Sequence, residues 1–397
     1  MSQSLSPSAG DLAPFLDRER LVARLAKLVA TSSENPPGNE AAAAELVSGF
    51  CAELSFDVSL HEAVPGRPSV VARAGFGEGP VLGYCSHIDT VPAGDPAAWP
   101  RPPFGAQVED GVLWGRGACD AKGPIAAVLE AVAALRAWGG PLAGTLELEL
   151  CCDEETMGTL GAGHLLRNEI VRPDAAIVGE PTSLRLVRAQ RGACWLRVRT
   201  QGLAAHGSAP ERGRNAIVHM SEIVRNLEET LPDSTHPMLG GPSVNVGTIS
   251  GGEKVNMVAS SCVVEIDRRT IPGETSEGVV AEVHSAIERA RARYRDLDAE
   301  VEVSFFGEPF EVEEGSPLVT DVSAALEAAR GRPPEMIGFR GASDARYFAE
   351  AGIPVVVCGP GDIRLAHTVQ EHIDVSELEE AALAYALAFA CRLRPRP

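Results

Sequence analysis

The sequence predicts an α/β fold in two parts, a larger unit with a parallel sheet and a smaller unit inserted into it. Two observations predict this. Up to about residue 180, apolar strand-like runs alternate with helical patterns, the order that builds a sheet with parallel strands. From about 190 to 305 the order becomes β-α-β-β-α-β, the ferredoxin-like split unit, after which helix and buried strand alternate again. The boundaries are placed at 1–187, 188–305 and 306–397, the first and last segments forming one domain around the insertion.

The elements follow in chain order. Phe15, Leu21, Val22, Leu25, Leu28 and Val29 give residues 13–30 an amphipathic helix pattern, closed by the turn-rich SSENPPGNE. VLGYCSHID is a buried strand with a polar tip. After GRGACDAKG, a helix carries Ile125, Val128, Leu129, Val132 and Leu135 at helical spacing. In GTLELELCCDEE, Leu146, Leu148, Leu150 and Cys152 face one way, Glu147 and Glu149 the other. DAAIVGEP is a short strand ending in acid. The inserted unit reads as strand (CWLRVRTQG), helix (Asn215 to Leu231), strands (SVNVGTISGG and NMVASSCVVEID), helix (Glu277 to Tyr294) and strand (AEVEVSF). GSPLVTDVSAALEAAR is then a helix, IPVVVCGPG a buried strand, and residues 376–393 a last helix.

The composition narrows the function. The chain has 397 residues and a formal net charge of −20, which argues against a partner that needs a basic stripe, nucleic acid or an anionic membrane surface. Nine cysteines without a C-x-x-C pair, mostly in apolar runs, read as free thiols of a reducing compartment. No basic segment followed by an apolar stretch opens the chain, so no secretory signal is expected. AALAYALAFAC is shorter than the roughly 20 residues a membrane span needs. A cytoplasmic protein is the expectation.

Five polar points stand at the ends of apolar strands or in adjoining turns: His87 with Asp89, Asp120, the Glu154–Glu155 pair, Glu180 and His367. In open α/β sheets, ligands bind beyond the carboxyl ends of the strands. Two imidazoles and several carboxylates converging there suit zinc, and one shared carboxylate would serve a two-metal site. Each element alone is a common local motif; their joint occurrence in this order carries the reading. Rival motifs fail. GTISGGEKV has Glu253 where a phosphate loop needs lysine, and neither G-x-S-x-G nor H-E-x-x-H occurs. His61, His164, His219, His236, His284 and His372 belong to no such motif.

With these motifs in view, roughly residues 15–393 resemble the dizinc peptidases and deacylases that include acetylornithine deacetylase, succinyl-diaminopimelate desuccinylase, aminoacylase and glutamate carboxypeptidase. SHIDTVP resembles the family's first metal motif, GRGACDAKG the second and DEETMG the third; GEP and GPGDIRLAHTVQEH complete the set. The resemblance implies a zinc-exopeptidase-like catalytic domain with an inserted lid that dimerises. It implies two zinc ions, with cobalt or manganese as substitutes. His87, Asp120 and Glu180 would hold one, and Asp120, Glu155 and His367 the other. It gives Asp89 the second ring N–H of His87 to accept, and makes Glu154 the general base.

The inserted unit adds a second set by the same resemblance. GLAAHGSAPERGRNAI matches a lid motif whose histidine, here His206, reaches the active site of the other subunit of a homodimer. Asn245 and Arg269 match residues near the substrate carboxylate, and Arg268 beside Arg269 must point the other way. GFRGASDARYF resembles a substrate loop, with Gly341 and Ser343 as contacts. The implied reaction is hydrolysis of an N-acyl amino acid amide. GPGDIRLAH is closer to acetylornithine deacetylase than to the desuccinylase, where a second base is expected near Arg191 in AQRGACWL. The desuccinylase, or a carboxypeptidase or aminoacylase, is the alternative.

Overall fold

The computed structural model describes residues 7–394. The chain divides into two compact units. One comprises the residues up to Arg188, Val312–Ile337 and the chain from Ser343 onward; the other comprises Ala189–Glu311 and Gly338–Ala342.

In the first unit, four strands run parallel at the centre of the main sheet: Thr145–Cys151, Val81–His87, Ala175–Val178 and Val355–Val357, adjacent in that order. Nearly all their residues are buried, so both faces of each strand are covered; three of the four are near-continuous apolar runs, and Thr145–Cys151 alternates leucine with glutamate. Pro68–Gly75 pairs antiparallel with Thr145–Cys151, and Asp57–Glu62 extends that edge. The parallel strands all end on one side, and the register pairs His87 with Cys151. The chain leaving each strand therefore delivers its next residues to one place.

Helix Lys122–Trp138 packs against Val375–Arg392 and Arg18–Ala30. Buried alanines (Ala126, Ala127 and Ala131 on one helix, Ala381, Ala382 and Ala388 on another) keep these helices slim. Ile125, Val128, Leu129, Val132 and Leu135 are buried as their spacing predicts, each burial contributing about 1.5–3 kcal/mol. The helix stops at Gly139, whose positive φ of 64° lets its N–H reach Leu135 O. Helix Pro317–Arg330 starts with Ser316 accepting the Val319 N–H and Pro317 in the first turn, where its missing N–H costs nothing.

The second unit has its own sheet, ordered Ser243–Gly251, Ser261–Thr270, Gly192–Gln201, Asp298–Gly307, with every neighbouring pair antiparallel. Helices Ala216–Leu227 and Ser276–Arg293 contribute to a separate core with Leu196, Val198, Ile223, Val264, Ile266, Val283 and Ile287. Asn215 caps the first of these helices by accepting the N–H groups of Ile217 and Val218.

The α/β class expected from the sequence is the class observed. The strand Thr145–Cys151 buries both faces, so Glu147 and Glu149 lie inside, Glu147 paired with Arg73. Helix Ala41–Glu53, the strands at 57–75 and a small sheet of Gln107–Glu109, Val112–Trp114 and His372–Asp374 are further elements that the sequence pattern did not announce.

Candidate metal centre

His87 is the last residue of its strand and is buried. Its ring Nδ1 lies 2.9 Å from the Asp89 carbonyl oxygen and 3.6 Å from that residue's carboxylate. An acceptor at Nδ1 keeps a proton on that nitrogen, so Nε2 is the ring nitrogen that would face a metal. Nε2 stands 3.1 Å from Asp120 Oδ1 and 3.8 Å from Glu180 Oε2.

Asp120 lies in the turn between the strand Val112–Trp114 and helix Lys122–Trp138. Its second oxygen, Oδ2, is 3.3 Å from His367 Nε2, which is also 3.0 Å from Glu155 Oε2. One carboxylate thus faces two imidazoles, one with each oxygen. Ligand atoms of His87, Asp120 and Glu155 all lie within 4.8 Å of one another.

Glu154 and Glu155 begin a single 3-10 turn after the strand Thr145–Cys151, flanked by Asp153 and Met157 at positive φ. This is why neighbouring side chains can serve one site. Asp89 fixes the turn: its carboxylate accepts the backbone N–H groups of Glu154 and Glu155, each at 3.2 Å, and the Asn35 amide at 2.9 Å.

The charges decide what the cluster can hold. Burial alone would raise Asp120, but its hydrogen bonds to His367 and His87 outweigh that and hold it well below the usual carboxylate range. The Asp120 and Glu155 carboxylates raise His367 to about 10. Burial pushes Glu154 and Glu180 well up, each helped by a neighbouring carboxylate. Glu180 Oε1 is buried without a hydrogen-bond partner. An acidic, partly orphaned set of imidazole nitrogens and carboxylate oxygens fits divalent cations, which supply the positive charge otherwise taken from protons.

Ser343 belongs to this first unit and is buried, its Oγ 3.4 Å from the Ala345 N–H. The remaining sequence candidates, His206, Asn245, Arg269 and Gly341, lie in the second unit. His206 is exposed and its Nδ1 is 2.7 Å from Ser208 Oγ. Arg269 is half-buried and pairs with Asp267 at 2.9 Å, while Arg268 is buried against Glu274 and Glu282. Alternation along the strand separates the two arginines. Asn245 sits in register with Asp267, the ion partner of Arg269.

Several residues of the first unit were not singled out by motif. Asn35 joins Asp89 to Thr156, from the loop SSENPPGNE. Lys122 is buried, lowered to about 7 by burial, and donates to Thr31 O at 2.7 Å. Asp344, next to Ser343, is buried without a hydrogen-bond partner and raised to about 7, chiefly by burial. Both loops carried a signal, turn residues and an acid respectively, but nothing in either shows which polar side chain turns inward.

Residues 83–390 match the model of Peptidase family M20/M25/M40. The acetylornithine deacetylase of Proteus mirabilis is 31% identical over 378 residues, covering 93% of this chain and 94% of its own. That of Pectobacterium carotovorum is 32% identical, covering 92% and 94%. Among solved structures, aminopeptidase PepT from Bacillus cereus superposes with a TM-score of 0.79 at 26% identity, covering 95% of this chain and 99% of that one. A dinuclear metal-binding M20 peptidase from Bacillus subtilis has the same fold, with a TM-score of 0.72 at 18% identity over 95% of this chain and 98% of its own. The family match over most of the chain and the deacetylase relatives together place it: this chain belongs to Peptidase family M20/M25/M40 and is a hydrolytic metalloenzyme.

Proposed function

We propose that this enzyme removes a short acyl group, acetyl first of all, from the α-nitrogen of a basic or polar amino acid. The observation that carries the reading is Asp120, whose two oxygens face His87 and His367 at 3.1 and 3.3 Å. His87, Asp120 and Glu180 would hold one divalent ion; Asp120, Glu155 and His367 would hold the other. Zinc suits the donor set, with cobalt or manganese as substitutes. Bound there, such ions lower the pKa of water towards neutrality and polarise a carbonyl oxygen.

The chain's own residues do the rest. Glu154 is half-buried and bears no ligand role in this scheme, so its carboxylate is the group left to move protons. It takes the proton from the attacking water and delivers it to the departing amine. Asp89 keeps Glu154 in place through its backbone N–H. His206 from the other protomer of a homodimer would stabilise the oxyanion, and Asn245, Arg269, Gly341 and Ser343 would bind the substrate's carboxylate end. Leu203, Ile249 and Val255, apolar and exposed on the second unit, suit such an assembly.

The relatives named acetylornithine deacetylase and the GPGDIRLAH segment support acetylornithine as substrate. Amine release from acetylornithine, succinyl-diaminopimelate, acetylmethionine and a tripeptide, with a chelator control, decides among the family's reactions. Preference for the tripeptide would favour the activity named for the Bacillus cereus neighbour. Glu154→Gln is expected to keep its metal content and lose about 100-fold or more in kcat. Turnover near the parent rate would remove Glu154 from the role of base.

A further inference from the structure

We propose that Glu371, held by Arg116, is a positioning residue that sets Asp120 between the two imidazoles. The proposal rests on the metal-centre reading and extends it to residues that touch no substrate.

Asp120 can face two histidines only if its backbone is fixed. It stands in an irregular turn, where N–H groups find no strand or helix ladder and must be satisfied some other way. One oxygen of Glu371, Oε1, accepts the N–H of Cys119 and that of Asp120, each at 3.2 Å. The other, Oε2, accepts from Arg116 Nη1 at 2.5 Å. Both side chains are buried, so each is costly alone and tolerable only as a pair. Hydrogen bonds to a charged acceptor are the strong kind, and here they converge on the residue shared by both candidate ligand sets.

The same pair reaches the second histidine. Arg116 Nη1 is 3.3 Å from Thr368 O, the residue after His367, and the Gly115 N–H donates to Glu371 O at 3.1 Å. His367 itself has a positive φ of 62°, a conformation that costs a non-glycine residue energy and persists only when its surroundings impose it. The turn with Asp120 and the loop with His367 are therefore clasped by one ion pair. Arg116 is in turn stacked over Trp99, its guanidinium carbon 4.8 Å from the ring centroid.

A purely structural role predicts something different, and Glu130 provides the comparison. It is equally buried, pairs with Arg20 and accepts the Asp17 N–H, and none of these partners is a candidate ligand. In Glu371→Gln the amide must turn its NH2 towards either Arg116 or the two backbone N–H groups, so one side of the clasp is lost. In Arg116→Gln the carboxylate stays but its anchor goes.

The test measures zinc affinity by competition with a fluorescent chelator, alongside thermal unfolding of the demetallated proteins. Glu371→Gln is expected to bind zinc about 10–100-fold more weakly than the parent, the usual cost of losing a residue that orients a ligand. Arg116→Gln is expected to shift in the same direction, and it serves should Glu371→Gln not fold. Glu130→Gln is expected to lose thermal stability with zinc affinity unchanged. Parent-like affinity in the folded Glu371 or Arg116 variants overturns the proposal, as does an equal loss in Glu130→Gln. A parent protein that takes up no zinc overturns the proposed function itself.

Discussion

At the scale of single residues, the centre is a problem in where protons and charges reside. Asp344 shows this from outside the proposed ligand set, its carboxylate lying near the buried Cys85 and Cys151 thiols. Burial lifts its carboxyl from 3.8 to about 7, so the folded protein binds a proton there that the unfolded chain has released. The stability that goes with the raised value is complete below pH 3.8 and is lost as pH rises through about 7. Asp344→Asn keeps the shape and removes the titration. Urea unfolding of both proteins between pH 5 and 8 is expected to show the parent losing stability relative to the variant as pH rises. Parallel curves would show that Asp344 is ionised throughout.

Much of this residue scale was legible. His87, Asp120, Glu155 and His367 are each marked by an apolar strand or a glycine-rich turn, and the structure brings them together. Asn35, Asp344 and the Arg116–Glu371 pair were not legible, because a turn sequence does not say which of its polar groups faces inward. Asp89 was read through its neighbour His87. Its carboxylate is closer to the backbone of Glu154 and Glu155, more than 60 residues away in the chain, a contact no local pattern encodes.

At the scale of elements, the strands legible as buried runs are the parallel ones that carry the centre. The strands Asp57–Glu62 and Pro68–Gly75 were missed because the first is half-exposed and the second ends in a charged, glycine-containing stretch. The Glu147–Glu149 alternation suggests one wet face, yet both acids are inside, since a tertiary partner such as Arg73 leaves no trace in periodicity. Helix Lys122–Trp138 links element to site, since its first turn follows Asp120 directly. A Cβ at Gly123 would lie 2.5 Å from Ala118 O and 2.8 Å from Ile373 Cδ1. Gly123→Ala is expected to cost about 1–3 kcal/mol in unfolding free energy, because backbone must move to admit the methyl group. Measured stability equal to the parent would mean the turn is looser than its contacts indicate.

At the scale of the whole molecule, the chain has two units with separate cores, one carrying the candidate ligands and the other the four-stranded sheet. No helix of the described residues is long and apolar enough to cross a membrane. The net charge of −20 does not itself mark a metal site, since most of the 55 acids lie outside the candidate centre. Family membership fixes the class of chemistry, while the acyl group and amino acid rest on the proposed function.

The central claim is that Asp120 is shared between two divalent ions. Anomalous diffraction at the zinc absorption edge from crystals of the zinc-loaded protein tests it most directly. The expected map has two peaks, one on either side of the Asp120 carboxylate, the first against His87 and Glu180, the second against Glu155 and His367. A map with no peak at Asp120, or with a single ion that leaves one of the two histidines unligated, would contradict it.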